Sequence, residues 1–296
     1  MVIVWHKYID FFGNFGIAKL ESKGMETGRK IEIMGIVNLT DDSFFEGSRN
    51  LRTDGSLDED GFIGRLEEMV GEGADILDFG ACSTRPGSDS ISEEEEWRRL
   101  EKPLQLFVSR FPEMRLSIDT FRPEIARKAF DIVGPFIVND VSGGCEEMWR
   151  AVSELSVPYV AMHTRGTPKD MQTLTDYDDV TESVIEFFEG IAQTADKHGV
   201  SDWILDPGFG FAKTVEQNWK LLREMSAFSK FDKKILAGLS RKSFMYRPLG
   251  ITPAQMLSPT QVANYMALNN GADILRVHDV GPARQTVSLY NLYNGV

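Results

Sequence analysis

The sequence predicts a single (β/α)8 TIM barrel over residues 31–296, α/β in class, behind an N-terminal appendage over residues 1–30. Three observations support this. Eight short apolar runs alternate with stretches of helical period, most runs end at a polar residue, and no linker or low-complexity stretch divides residues 31–296. Strand–helix alternation demands a parallel sheet, because parallel neighbours need a crossover, and right-handed crossovers repeated eight times close into a barrel. The alternative is an open doubly wound sheet, which lacks its glycine-rich fingerprint here.

In chain order, Ile33-Met34-Gly35-Ile36-Val37 is a buried strand ending at Asn38, and Leu39 to Asn50 is polar loop. Phe62, Leu66, Met69 and Val70 follow at helical spacing. Ile76 to Phe79 leads into Gly80-Ala81-Cys82-Ser83-Thr84-Arg85-Pro86-Gly87. The next helix carries Trp97, Leu100, Leu104 and Phe107, with Pro103 expected to bend it or mark its start. Leu116 to Ile118 ends at Asp119, Phe136 to Val138 at Asn139, and Tyr159 to Met162 at His163, with helices near 122–130, 145–155 and 180–197. Trp203 to Leu205 ends at Asp206, Ile235 to Leu239 at Ser240, and Ile274-Leu275 at Arg276. After Asp206, Pro207, Gly208 and Gly210 force a turn, and Thr214 with Glu216, Trp219 and Leu222 reads as a capped helix.

A net charge of −13 argues against a nucleic-acid or anionic-membrane surface, so an anionic substrate needs a local cluster of basic groups. Cys82 and Cys145 are too few for a disulfide framework, and the expected compartment is the reducing cytoplasm. The start, Met1-Val-Ile-Val-Trp5, meets His6, Lys7 and Asp10 before a signal-peptide core can form, and no run reaches the roughly 18 to 20 apolar residues of a membrane span. The turn after Asp206 is neither a Walker A loop, which needs glycines where Pro207 and Ala212 stand, nor a dinucleotide fingerprint, which needs one at Lys213.

Asn38, Asp119, Asn139 and Asp206 close apolar runs and face the predicted mouth, the end at which barrels bind ligands. Individually each could cap the following helix. Together, two carboxylates and two amides match a flat heterocycle with several N–H groups and ring nitrogens, such as a pterin or purine. Arg85, Lys213, Arg241, Lys242, Arg276 and His278 fall at the same rim, a local reversal of charge that points to a phosphate or carboxylate on the ligand. Arg276 and His278 share one side of their strand, and a charge there needs a partner. His163 alone reads as a satisfied barrel histidine more readily than as a ligand, and the four histidines make no zinc set. A metal would be a hard cation held by oxygen, with Asn38 and a substrate phosphate as ligands, as Mg2+ prefers. Cys82 has no base paired to it that would make it a nucleophile.

Met34-Gly-Ile-Val-Asn-Leu-Thr-Asp-Asp-Ser-Phe44, Ser83-Thr-Arg-Pro-Gly87, Ile118-Asp-Thr120, Val138-Asn-Asp-Val141, Met162-His-Thr-Arg-Gly-Thr-Pro168, the Asp206 turn, Ser240-Arg-Lys-Ser243 and Arg276-Val-His-Asp279 together resemble dihydropteroate synthase, in order from about residue 33 to the end. The resemblance implies condensation of 6-hydroxymethyl-7,8-dihydropterin diphosphate with 4-aminobenzoate, giving 7,8-dihydropteroate and diphosphate in folate synthesis, by a homodimer that sulfonamides inhibit. It implies a pterin pocket of Asp119, Asn139, Asp206 and Lys242, with Met162 as a further substrate-binding residue, Asn38 at the Mg2+ and diphosphate position and Thr84, Arg276 and His278 as further diphosphate contacts. Phe211, Pro86, Ser240 and Lys242 correspond to the surroundings of the aminobenzoate. Loops over 39–50 and 80–92 resemble two mobile loops that bring Asp42, Ser43, Phe44, Thr84 and Arg85 to the site. Asp119, Lys242, Arg276 and His278 are the expected catalytic groups.

Three positions depart from the family pattern. Asp41 replaces a proline, which is expected to loosen the first loop and slow turnover; Cys82 stands where a glutamate is usual, and Ala212 where a glycine is. Two other functions stay open on the sequence: a methyltetrahydrofolate methyltransferase, which shares the barrel but has no diphosphate to bind, and a pterin-binding protein without catalysis.

Overall fold

The computed structural model describes residues 29–40, 57–83 and 91–296. The expectations for the appendage through residue 28, for Asp41, Asp42, Ser43 and Phe44, and for Thr84, Arg85 and Pro86 lie outside the described residues. The strands are β1 Glu32–Asn38, β2 Ile76–Gly80, β3 Arg115–Asp119, β4 Ile137–Asp140, β5 Tyr159–Met162, β6 Trp203–Asp206, β7 Leu236–Ala237 and β8 Ile274–Val277. All pairings are parallel, in the order β6-β5-β4-β3-β2-β1-β8-β7. The seam between β6 and β7 is closed by one bridge, Leu205 to Ile235, where the Leu205 N–H donates to the Lys234 carbonyl at 2.9 Å. The expected barrel is the observed fold.

Helices α1 Glu59–Gly71, α2 Glu93–Arg110, α3 Pro123–Val133, α4 Glu146–Leu155, α5 Val180–His198, α6 Val215–Arg223, α7 Ser243–Leu249, α8 Leu257–Asn269 and α9 Val280–Asn294 follow the strands, with both α7 and α8 between β7 and β8. Pro103 lies inside α2 and does not start it; Ser92 sets the start by accepting the Glu95 N–H at 3.2 Å. Strand β7 pairs regularly over only two of the five residues expected of it, because its partner on one side contributes a single bridge and Gly238 follows without a side chain to pack. No helix among the described residues is long and apolar enough to cross a membrane.

Two cores follow from the period of two along each strand. Outward residues such as Val37, Phe79, Ile118, Val138, Trp203 and Leu275 pack under the helices. Inward residues Met34, Ile76, Ile137, Val160, Ile204, Leu236 and Ile274 form a separate dry plug inside the barrel. The next inward position on six of those strands, two residues toward the mouth, is Asp78, Asn139, Met162, Asp206, Gly238 or Arg276. The plug thus separates a polar floor at the mouth from the barrel's other end.

That other end is closed by Glu32, whose buried carboxylate accepts from Lys234 at 2.6 Å and also pairs with Arg115. Burial pushes its pKa up, but the bonds and charges of Lys234 and Arg115 outweigh burial and leave it lowered. A carboxyl with a lowered folded pKa stabilises above its unfolded value and loses that contribution as pH falls through the folded one. Glu32→Gln should therefore cost stability at pH 7, about 1–3 kcal/mol for a buried acceptor that loses its charge. In denaturant melts the gap to the wild type should narrow as pH drops below about 4.3, the ordinary glutamate value; a gap independent of pH would remove the ion pairs from the account.

Candidate active site

Arg276, near the end of β8, crosses the barrel mouth to two carboxylates on other strands. Its Nε donates to Asp78 Oδ2 at 2.7 Å, and its Nη2 lies 2.6 Å from the same oxygen and 2.8 Å from Asp119 Oδ2. Asp78 is fully buried and also accepts from Ser117 Oγ at 2.6 Å and from Asn139 Nδ2 at 3.3 Å. Burial alone would make Arg276 a weaker base, yet the two carboxylates push its pKa above the ordinary value, so the guanidinium stays charged. Asp119 moves the other way. Burial raises its pKa well above the ordinary carboxylate range, Arg276 opposes that, and the charges of Asp78, Glu96 and Asp140 add to it.

Across the mouth, Asp206 Oδ1 accepts the Gly208 N–H at 2.8 Å, and burial raises its pKa against the pull of that bond, Lys242, Arg276 and Lys213. Burial lowers Lys242 to about 8, with Asp206 opposing and Arg276 reinforcing. The Lys242 ammonium sits 4.4 Å from the centroid of the Phe211 ring, a cation–π contact. Asn139, Val141, Met162, Asp206, Phe211, Lys242 and Arg276 line one cleft of about 330 Å3, counted to its open mouth.

The expected residues fall into three groups. Asn139, Met162, Asp206, Phe211, Lys242 and Arg276 meet in this cleft, with Asp119 bonded to Arg276 beside it. Asn38 ends β1 level with Gly80, Gly80 is level with Asp119, and Asp119 with Asn139, so the strand pairing runs Asn38 into the same row. His278 follows β8 with its Nδ1 2.9 Å from Ser240 Oγ, which holds those two together at the rim.

The rim cluster of cations needs correction at two places. Arg241 does not stand open at the rim but forks onto Asp279, with Nη2 2.7 Å from Oδ1 and Nε 3.2 Å from Oδ2. Lys213 is not at the rim either: it is buried, 2.9 Å from His163 Nδ1, and donates to the carbonyls of Gly208 at 3.0 Å and Phe211 at 3.1 Å. Burial lowers Lys213 to about 7 against the pull of Asp206. Burial, the Lys213 charge and Arg165 lower His163 to about 2, so it is a neutral acceptor and the satisfied histidine of the two readings.

Sequence reasoning missed Asp78, hidden inside the run Ile76 to Phe79. The signal was there: Asp78 stands two residues past inward Ile76, as Asn139 stands two past Ile137. Ala212, the departure from glycine, adopts a φ of +48°, a left-handed conformation that costs a residue with a Cβ about 1–2 kcal/mol. Cys82 is buried, and burial raises its thiol, which makes it a poor nucleophile.

The model of the pterin binding enzyme family matches residues 34–278. Among curated proteins, the dihydropteroate synthase of Synechocystis is 38% identical over 260 residues, covering 86% of each chain. Among solved structures, the dihydropteroate synthase of Yersinia pestis in a sulfonamide drug complex superposes with a TM-score of 0.83 at 30% identity, covering 90% of this chain and 95% of its own. That of Xanthomonas albilineans with 4-aminobenzoic acid gives 0.80 at 34% identity, covering 90% and 94%.

Asp78 holds Asp119 partly in check through its charge. In Asp78→Asn that negative charge is gone while Arg276 remains, so the Asp119 midpoint, followed by carboxyl carbon NMR, should move down toward the ordinary range. An unmoved midpoint would remove the Asp78 charge from the causes and leave burial with the charges of Glu96 and Asp140.

Proposed function

From the premise that the chain belongs to the pterin binding enzyme family, among its dihydropteroate synthases, we propose the residues by which it carries the reaction. The reaction joins 6-hydroxymethyl-7,8-dihydropterin diphosphate to 4-aminobenzoate. The observation that carries the assignment of roles is the Arg276 guanidinium spanning Asp78 and Asp119 at the mouth. The pterin ring takes the cleft between Asn139, Asp206 and Lys242, where buried carboxylates and amides match its N–H groups and ring nitrogens.

The diphosphate lies toward Arg276, His278 and Asn38. Arg276 uses Nε and Nη2 for the carboxylates, and among the described residues Nη1 takes no part in those bonds, so it is the edge for a phosphate oxygen. The pterin methylene C–O bond breaks with its electron pair leaving on diphosphate, and Arg276 and His278 neutralise the charge that develops there. Asp119 faces the electron-poor carbon left behind, and its negative form stabilises that carbon. The aromatic amine is a weak nucleophile; its lone pair closes the new C–N bond once the cation has formed, and its proton passes to solvent. Phe211 and Lys242, with Ser240 at the rim, flank the aminobenzoate.

A magnesium ion belongs to this proposal as a companion of the diphosphate. Among the described residues no group of three acidic, histidine or cysteine side chains could cage a metal, but one amide oxygen of Asn38 plus phosphate oxygens and water suits magnesium's preference for oxygen and retained water. When bound, the ion supplies charge neutralisation of the leaving group. A cytoplasmic location is part of the same reading, supported by two free thiols, Cys82 and Cys145.

The homodimer is proposed on the outer face of α8 and α9. Helix α8 carries no charged residue, and α9 only Arg284, which turns inward to Asp75. Val262 at 56% exposure, Leu289 at 63%, Leu292 at 78% and Tyr293 at 79% leave an apolar surface there. Two chains of charge −13 repel except where both faces are neutral, which favours a second copy as the occupant.

The test of function follows diphosphate release with pterin diphosphate, 4-aminobenzoate and magnesium. Binding without release would favour a pterin-binding protein, and methyl transfer from methyltetrahydrofolate would favour the methyltransferase. Asp119→Ala should lower kcat by about a thousandfold while weakening pterin diphosphate binding by less than about tenfold, because the cation it stabilises exists only near the transition state. Parallel losses would refute that role. Leu289→Asp combined with Leu292→Asp should turn a dimer into a monomer in sedimentation; a mass unaffected by the pair places the contact elsewhere.

A further inference from the structure

The buried pair of Lys213 and His163 lies outside the cleft, and the mechanism does not use it. It joins the turn after β6 to the end of β5. The three acceptors within 3.1 Å of the Lys213 ammonium, His163 Nδ1 and the carbonyls of Gly208 and Phe211, match its three hydrogens one for one. The carbonyl of His163 stands fourth at 3.5 Å. With the ammonium as the donor, Nδ1 is the acceptor, and the tautomer that fits is the one with its proton on Nε2.

The same turn is bound at every other point. Asp206 Oδ1 accepts the Gly208 N–H, Asn218 Oδ1 accepts the Gly210 N–H at 2.6 Å, and Asn218 Nδ2 donates to the Lys213 carbonyl at 3.2 Å. Gly208 has a φ of +70°, and a Cβ there would meet the His163 carbonyl at 1.9 Å, so the two strand ends touch backbone to backbone. Ala212 holds the left-handed conformation beside it. A turn this bent, with a Cβ-bearing residue in that region, needs an internal ligand to keep its shape.

What the turn displays to the cleft is the Phe211 ring, 4.4 Å from Lys242, and the carbonyl of Phe211 is one of the atoms that Lys213 binds. We propose that Lys213, with His163 as its acceptor, is a positioning residue that sets the place of Phe211 and so governs recognition of the aromatic amine. It does not touch the pterin diphosphate. This rests on the reading above that the Phe211 side of the cleft receives 4-aminobenzoate.

Steady-state kinetics with each substrate varied in turn test it. Lys213→Met keeps the aliphatic stem and removes all three donors; it should raise the KM for 4-aminobenzoate by about tenfold or more and change the KM for pterin diphosphate by less than about twofold. His163→Leu removes one acceptor and should shift the same constant in the same direction by less. His163→Asn, whose amide oxygen replaces Nδ1, should restore it. A merely structural role would lower the melting temperature, or change kcat or both KM values together, and any of these without the selective rise in the KM for the amine overturns the proposal. Should Lys213→Met fail to fold, the histidine pair decides: equal behaviour of His163→Leu and His163→Asn overturns it. A wild type that forms no dihydropteroate ends the functional reading itself, and the inference with it, a result distinct from an active wild type whose variants keep their KM for the amine.

Discussion

A guanidinium in the mouth of a barrel, shared by two carboxylates from different strands, is the constraint around which the site is built. Arg276 reaches from β8 to Asp78 on β2 and Asp119 on β3, across the intervening β1. One cation between two buried acids leaves an excess of negative charge, which adds to burial, the larger cause, in raising the pKa of Asp119. Removing Arg276 would leave two buried carboxylates without their shared cation, which is costly for a protein. The same imbalance suits a reaction in which an anion leaves and a cation is briefly exposed.

The dry plug makes that charge distribution tenable. Seven inward apolar side chains seal the barrel beneath the floor, so the polar groups above it face one another, the backbone and whatever enters through the mouth. Beyond the plug the buried Glu32 closes the barrel with its own ion pairs to Lys234 and Arg115. The barrel therefore holds two charged layers with the apolar plug between them, one structural and one placed where ligands enter.

Not every cation near the mouth is there for a substrate. Lys213, Arg241 and Arg276 are all basic and all follow or end a strand, yet of the three only Arg276 lines the cleft. Lys213 is consumed by carbonyls and a histidine, and Arg241 by Asp279. The distinction depends on what stands opposite, and that belongs to other strands and loops.

Much was legible in the chain by itself. The eight strands appear where apolar runs predicted them because burial on both faces of a parallel strand leaves a continuous apolar signature, and the polar residue that ends most of the runs marks where the plug gives way to the mouth. Asn139, Asp206 and Arg276 could be named on that ground alone. Asp78 was passed over in a run read as apolar, and Lys213 and Arg241 could not be told apart from Arg276, because a sequence records the period along one strand and not the partner across the barrel. Local periodicity is written in neighbouring residues, whereas pairing between strands nearly two hundred residues apart, as Asp78 and Arg276 are, arises only when the sheet closes.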